Sequence, residues 1–147
     1  MASDWTHYQD TGFGPIDVEH REISERLAQL LSVVNAGRTS EAVLMLGRMC
    51  SQFSAHFAHE ERLMAETAYP LAERHRQAHT QFLADAGASL AELQARGLSP
   101  AFRRWITGRA LEWFRFHIAA NDVGLGRFLM AREAAKLAPI PAEVAAP

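Results

Sequence analysis

Four short patterns in this chain put metal-binding or acid–base side chains at helical spacing: His20 alone, His56 with Glu60, His75 with His79, and His117 with Asp122. Residues four apart lie one turn apart on the same helix face. His56 and Glu60 belong to the run His56-Phe57-Ala58-His59-Glu60-Glu61, on a face that also collects Leu46, Met49, Phe53 and Leu63. A carboxylate on such an apolar stripe must meet something positive, because burying it unpaired costs on the order of several kcal/mol or more.

Each pattern alone has a plainer reading. A single histidine on an apolar stripe is most often a hydrogen-bonded core residue, and a buried His–Glu pair can satisfy itself. Two neutral imidazoles such as His75 and His79 gain little from each other. Taken together, the four patterns put a polar layer across the whole core, which is hard to satisfy without metal. Five imidazoles and two carboxylates are too many donors for one zinc ion. They suit two ions of five- or six-fold coordination, bridged by Glu60 and Asp122 and held about 3.5 Å apart. His7 and His59 fall outside this set. His59 lies about 60° to one side of His56 on the helix, and both read as surface or supporting residues.

The elements that must position these groups are helices. Apolar residues at Ile16, Ile23, Leu27, Leu30, Leu31 and Val34 trace a first helix over 17–36, with His20 on its stripe and Gly37 as a left-handed end. A second helix spans 41–66, capped by Thr39 or Ser40. Pro70 suits the first turn of a third helix over 70–96, whose inner side carries Leu71, His75, His79, Phe82, Ala86, Leu90 and Leu93. Ser99-Pro100 opens a fourth over 100–136, with Phe102, Ile106, Ala110, Trp113, His117 and Ala120 facing inward. On an ideal helix Asp122 would sit about 140° from His117. A π-type turn would bring the two onto one side, so local π geometry is expected between them.

Four amphipathic helices with short connections make an all-α, antiparallel up-down-up-down four-helix bundle. An extended, aromatic N-terminal arm over 1–15, with Trp5, Tyr8 and Phe13, is expected to pack back onto it. Residues 1–136 read as one domain and 137–147 as a flexible tail. The formal net charge of -2 offers no basic surface for nucleic acid. One cysteine, Cys50, excludes a disulfide within the chain and suits a reducing compartment; Cys50 reads as a small buried hydrophobe. With no apolar run of about 18 residues and no apolar signal region at the start, a soluble cytoplasmic protein is expected, without membrane insertion.

The ordered set His20, His56-x-x-x-Glu60, His75-x-x-x-His79 and His117-x-x-x-x-Asp122 resembles the hemerythrin family, in particular its bacterial single-domain members. Ile16-Asp17-x-x-His20, His56-Phe57-x-x-Glu60-Glu61-x-x-Met64, Tyr69-Pro70, Trp113-x-x-x-His117-Ile118 and the arm with Trp5 and Gly12 carry the same resemblance, over roughly residues 5–130. It implies two iron ions (Fe2+/Fe3+) with an oxo or hydroxo bridge, binding dioxygen reversibly. His75, His79 and His117 would hold the first iron. His20 and His56 would hold the second, which keeps one open position, and Glu60 and Asp122 would bridge. Five neutral imidazoles with two carboxylates should disfavour high-valent iron and so favour binding over oxygen activation. A dry pocket would help, with Leu31, Phe57, Trp113, Phe116 and Ile118 as candidate walls.

The leading function is therefore oxygen carriage, storage or delivery, without catalysis, with an oxygen-consuming enzyme as one possible client. A sensor acting through a signalling partner, a di-iron peroxidase or nitric oxide-reducing enzyme, and an iron-storage or repair protein are the alternatives. Oligomeric state is not legible in the sequence.

Overall fold

The structure is a computed structural model describing residues 7–138. Trp5 and the tail 139–147 lie outside the described residues. Four helical rods are joined by short connections: α1 Gly14–Asn35, α2 Thr39–Glu66, α3 Ala72–Arg96, and a fourth rod over residues 100–137. They form the expected four-helix bundle, with no strand among the described residues.

The boundaries follow local chemistry. α1 begins ahead of Asp17 because Pro15, which has no N–H to lose, fits its first turn. Asp17 then ties down the arm. One of its carboxylate oxygens accepts from the backbone N–H and the hydroxyl of Thr11, both at 2.8 Å, and the other from the Gly12 N–H at 3.1 Å. The arm also touches the fourth rod backbone to backbone: a Cβ on Gly126 would lie 2.6 Å from the Thr11 carbonyl oxygen. Tyr8 and Phe13 pack against the core as expected.

α1 closes with Gly37 at φ 74°, its N–H and that of Arg38 returning to the carbonyls of Val34 and Val33 at 3.0 and 3.2 Å. This tight turn leaves Arg38 as the residue entering α2, so neither Thr39 nor Ser40 caps that helix. α3 starts at Ala72, after a turn holding Pro70. Leu71 falls in the same turn and is 55% exposed, off the inner stripe. Ser99 does cap the fourth rod, its Oγ accepting from the Phe102 N–H at 3.2 Å. Trp105 pins that rod to α3 by donating from Nε1 to Asp85 at 2.9 Å.

The fourth rod contains two π segments, Trp105–Arg109 and Ile118–Asp122. In each, a backbone N–H reaches five residues back: Ala110 to Trp105, and Val123 to Ile118. The second is the π turn expected between His117 and Asp122. The first was not expected, and it shifts the helical phase. Phe114 and Leu111 are buried, while Trp113 sits half-buried at the margin. Ala120 is turned outward by the second π segment, which brings Asp122 inward in its place.

The core divides in two. A large cluster includes Ile23, Leu30, Leu46, Met49, Phe53, Phe82, Leu93, Phe102 and Ile106. A smaller one holds Ile16, Met64, Leu125 and Leu129. On α1 His20 falls between Ile16 of the smaller cluster and Ile23 of the larger, and on α2 Glu60 falls between Phe57 of the larger and Met64 of the smaller. Cys50 is half-buried against the larger cluster, and burial raises its thiol pKa. No helix of the described residues is long and apolar enough to cross a membrane.

Candidate metal centre

Each rod delivers its part of one layer: α1 gives His20, α2 His56 and Glu60, α3 His75 and His79, and the fourth rod His117 and Asp122. None of the seven is more than 5% exposed. Glu60 and Asp122 lie at the middle and divide their oxygens. Glu60 Oε1 faces His56 Nε2 at 3.3 Å and His20 Nε2 at 3.9 Å. Its Oε2 faces His79 Nε2 at 3.0 Å and His75 Nε2 at 3.3 Å. Asp122 Oδ2 lies 3.0 Å from His20 Nε2, while Oδ1 lies 2.9 Å from His75 Nε2 and 3.0 Å from His117 Nε2. Two overlapping groups result, each with donors within 4.8 Å of one another and each able to hold a metal ion. One is His75, His79 and His117 with both carboxylates; the other is His20 and His56 with the same two.

Short distances here do not mean hydrogen bonds. The Nε2 atoms of His20, His75, His79 and His117 and all four oxygens of Glu60 and Asp122 are buried without a hydrogen-bond partner. Natural proteins rarely leave such atoms orphaned, since each costs roughly 1–3 kcal/mol. Lone pairs that converge without pairing are what a metal-binding donor set looks like, so the residues present fit metal.

The outer nitrogens of His56, His79 and His117 meet groups around the layer, while those of His20 and His75 have no hydrogen-bond partner. Nδ1 of His56 lies 2.7 Å from Glu19 and Nδ1 of His79 lies 3.0 Å from Glu61. A carboxylate can only accept, so each ring donates Nδ1–H and keeps the Nε2 lone pair for the centre. The amide of Asn121 stands 3.3 Å from Nδ1 of His117. Without metal, burial opposes charge on His56, but its hydrogen bond to Glu19 and the nearby Glu60 carboxylate outweigh this and raise its pKa to about 10. His75 rises to about 9 against the same opposition, through Asp122 and Glu60. Burial lowers His117. Burial also works against charge on Glu60 and Asp122, yet the surrounding imidazoles hold both below the ordinary carboxylate range.

Aromatic side chains enclose the layer unevenly. Phe57 stacks on His79 at 4.0 Å between centroids, and Trp113 on His117 at 4.4 Å. Phe82 covers the other face of Trp113 at 4.0 Å. His20 instead meets the edges of Tyr8 and Phe114, at 6.1 and 6.0 Å. Of the expected pocket walls, Phe57 and Trp113 therefore border the three-histidine group, and Leu31 and Ile118 are buried in the large core cluster. Phe116 is 71% exposed and cannot wall a buried pocket, because the helical phase turns it to the outside. Sequence reasoning missed Tyr8 and Phe114 as neighbours of His20, and Glu19 as the partner of His56. Glu19 did carry a signal: it is an acid beside His20 on the helix flank that faces α2.

A family model described as "Hemerythrin HHE cation binding domain" matches residues 11–129. A bacteriohemerythrin of Stenotrophomonas maltophilia (strain R551-3) is 26% identical over 119 residues, covering 80% of this chain and 75% of that one.

Proposed function

The chain belongs to the hemerythrin family, and from that premise we propose that it binds dioxygen reversibly at two iron ions held by His20, His56, Glu60, His75, His79, His117 and Asp122. The observation that carries this reading is the division of each carboxylate, one oxygen toward the three-histidine group and the other toward the two-histidine group. When bound, a ferrous pair would supply two electrons and one vacant position to dioxygen. The vacancy belongs to the two-histidine side, which has one nitrogen donor fewer.

What the protein adds is enclosure. With every donor nearly inaccessible to water, the centre favours release of the ligand as it arrived over its hydrolysis. Glu19 and Glu61 keep imidazoles in the tautomer that points a lone pair inward. A carrier, store or delivery protein needs no more than this: a protected vacancy whose occupation reverses.

The test is a visible spectrum of anaerobically reduced, iron-loaded protein, taken before and after air and again under argon. A colourless sample that gains an absorption band in air and loses it under argon supports reversible binding. Immediate, irreversible oxidation would overturn it in favour of peroxide or nitric oxide turnover, to be assayed next.

A further inference from the structure

His59 belongs to neither ligand group, yet it is not a loose surface residue. Its side chain is 24% exposed, and its Nδ1 lies 2.8 Å from Glu19 Oε1. The second oxygen of that carboxylate, Oε2, lies 2.7 Å from Nδ1 of His56. Glu19 stands on α1 and both histidines on α2, so one carboxylate spans the seam between two helices and is shared by two rings. Both rings must donate Nδ1–H to it, since a carboxylate has only acceptors to offer. Across the centre, Glu61 meets His79 at 3.0 Å.

The shared carboxylate needs its second anchor. Glu19 is 29% exposed, and a partly solvated glutamate on a flexible stem can swing away from a single partner to water. His59 occupies the oxygen that would otherwise lead that motion. We propose that His59 is a positioning residue: acting through Glu19, it holds the His56 ring in the orientation and tautomer that the two-histidine half needs to keep its metal ion. This inference rests on the two-ion reading above.

The experiment uses the full chain, stripped of metal, as wild type, Glu19→Ala, His59→Ala and His59→Asn. Anaerobic iron(II) binding is measured by competition with a chelator, and bound iron is counted. The zinc(II)-loaded proteins are examined by 15N and downfield proton NMR for the Nδ1–H of His56. Wild type should take up two ions. Glu19→Ala should weaken one of them by about 10–100-fold and leave the other unchanged. His59→Ala should weaken the same ion by roughly tenfold or less, acting at one remove, and its His56 Nδ1–H signal should broaden by exchange. His59→Asn, whose amide N–H can reach the same oxygen, should restore both affinity and signal. The proposal is overturned if His59→Ala leaves both affinities and the signal as in wild type, or weakens both ions equally. A wild-type chain that takes up fewer than two ions overturns the two-ion reading itself, and this proposal with it.

Discussion

On the side of His75, His79 and His117, aromatic faces lie flat on imidazoles: Phe57 on His79 at 8° and Trp113 on His117 at 10°. On the side of His20 and His56, the rings meet edge-on, with Tyr8 at 83° and Phe114 at 75° to His20. Flat stacking covers a whole face of a ring and leaves it little freedom. Edge contacts leave gaps beside the ring and permit small rotations. The two halves also differ in what brings their walls. Phe57 and Trp113 ride on helices, whereas Tyr8 belongs to the arm, held by Asp17 through the hydrogen bonds at Thr11 and Gly12. A segment tied by a few hydrogen bonds outside regular structure opens at lower free-energy cost than a packed helix. The half with one imidazole fewer is thus also the half with the more yielding wall, and a small molecule would enter there.

The largest effect expected is one that treats both halves alike. Stripping metal leaves two buried carboxylates to be balanced by protonated imidazoles alone and removes metal-binding free energy that is also folding free energy, a loss on the order of several kcal/mol. Calorimetry should find the metal-free protein melting on the order of 10 °C lower. Equal melting temperatures would remove the reason for reading the layer as a metal centre.

Next is a pH effect that also spans the halves, since each holds one imidazole whose pKa is raised in the metal-free protein: His56 at about 10 and His75 at about 9. A raised pKa stabilises the folded form fully below the ordinary value of 6.5, and this contribution is lost as pH climbs through the raised values. The metal-free protein should therefore lose stability from pH 6.5 upward. Metal must displace those same protons, so its affinity should rise over the same window. The gap between loaded and stripped melting temperatures should widen with pH; a constant gap would show that neither ring holds its proton.

Smaller effects separate the halves. Trp113→Ala removes a half-buried ring stacked between Phe82 and His117 and should cost about 2–3 kcal/mol, below the range for a fully buried tryptophan. Tyr8→Ala should cost only about 1 kcal/mol yet shorten the lifetime of the oxygenated form more than Trp113→Ala does, read from decay of the visible band in air. The reverse ranking of lifetimes would place entry on the stacked side. The smallest effect belongs to Phe116→Ser, within about 0.5 kcal/mol and with unchanged oxygen binding.

Much of this layout was legible because the seven polar residues interrupt apolar stripes, which no ordinary core tolerates. Even the π turn at Ile118–Asp122 could be anticipated, since His117 and Asp122 are five apart and both had to face inward. The first π segment, Trp105–Arg109, carries no such marker. Nothing in the pattern betrays its change of phase, and Trp113, read as facing inward, stands half-buried while Phe114 beside it is buried. The contacts of Tyr8 with His20 and of Glu19 with His56 and His59 join different elements, and helical periodicity along one segment is blind to them.

The π segment at Ile118–Asp122 has a further consequence when viewed as a matter of insertion and deletion. It is one residue more than a uniform α-helix would place between two fixed points. Deleting Ala119 would restore an unbroken ladder of four-residue steps and a more regular helix. His117 and Asp122 would then be separated by the spacing of an ordinary turn, and Leu125 and Leu129, which follow Asp122 on unbroken α-helix, would keep their phase on the core. The five-residue spacing of His117 and Asp122 and the extra residue in the helix are therefore one fact, and a helix that drops that residue keeps the apolar face below it in place.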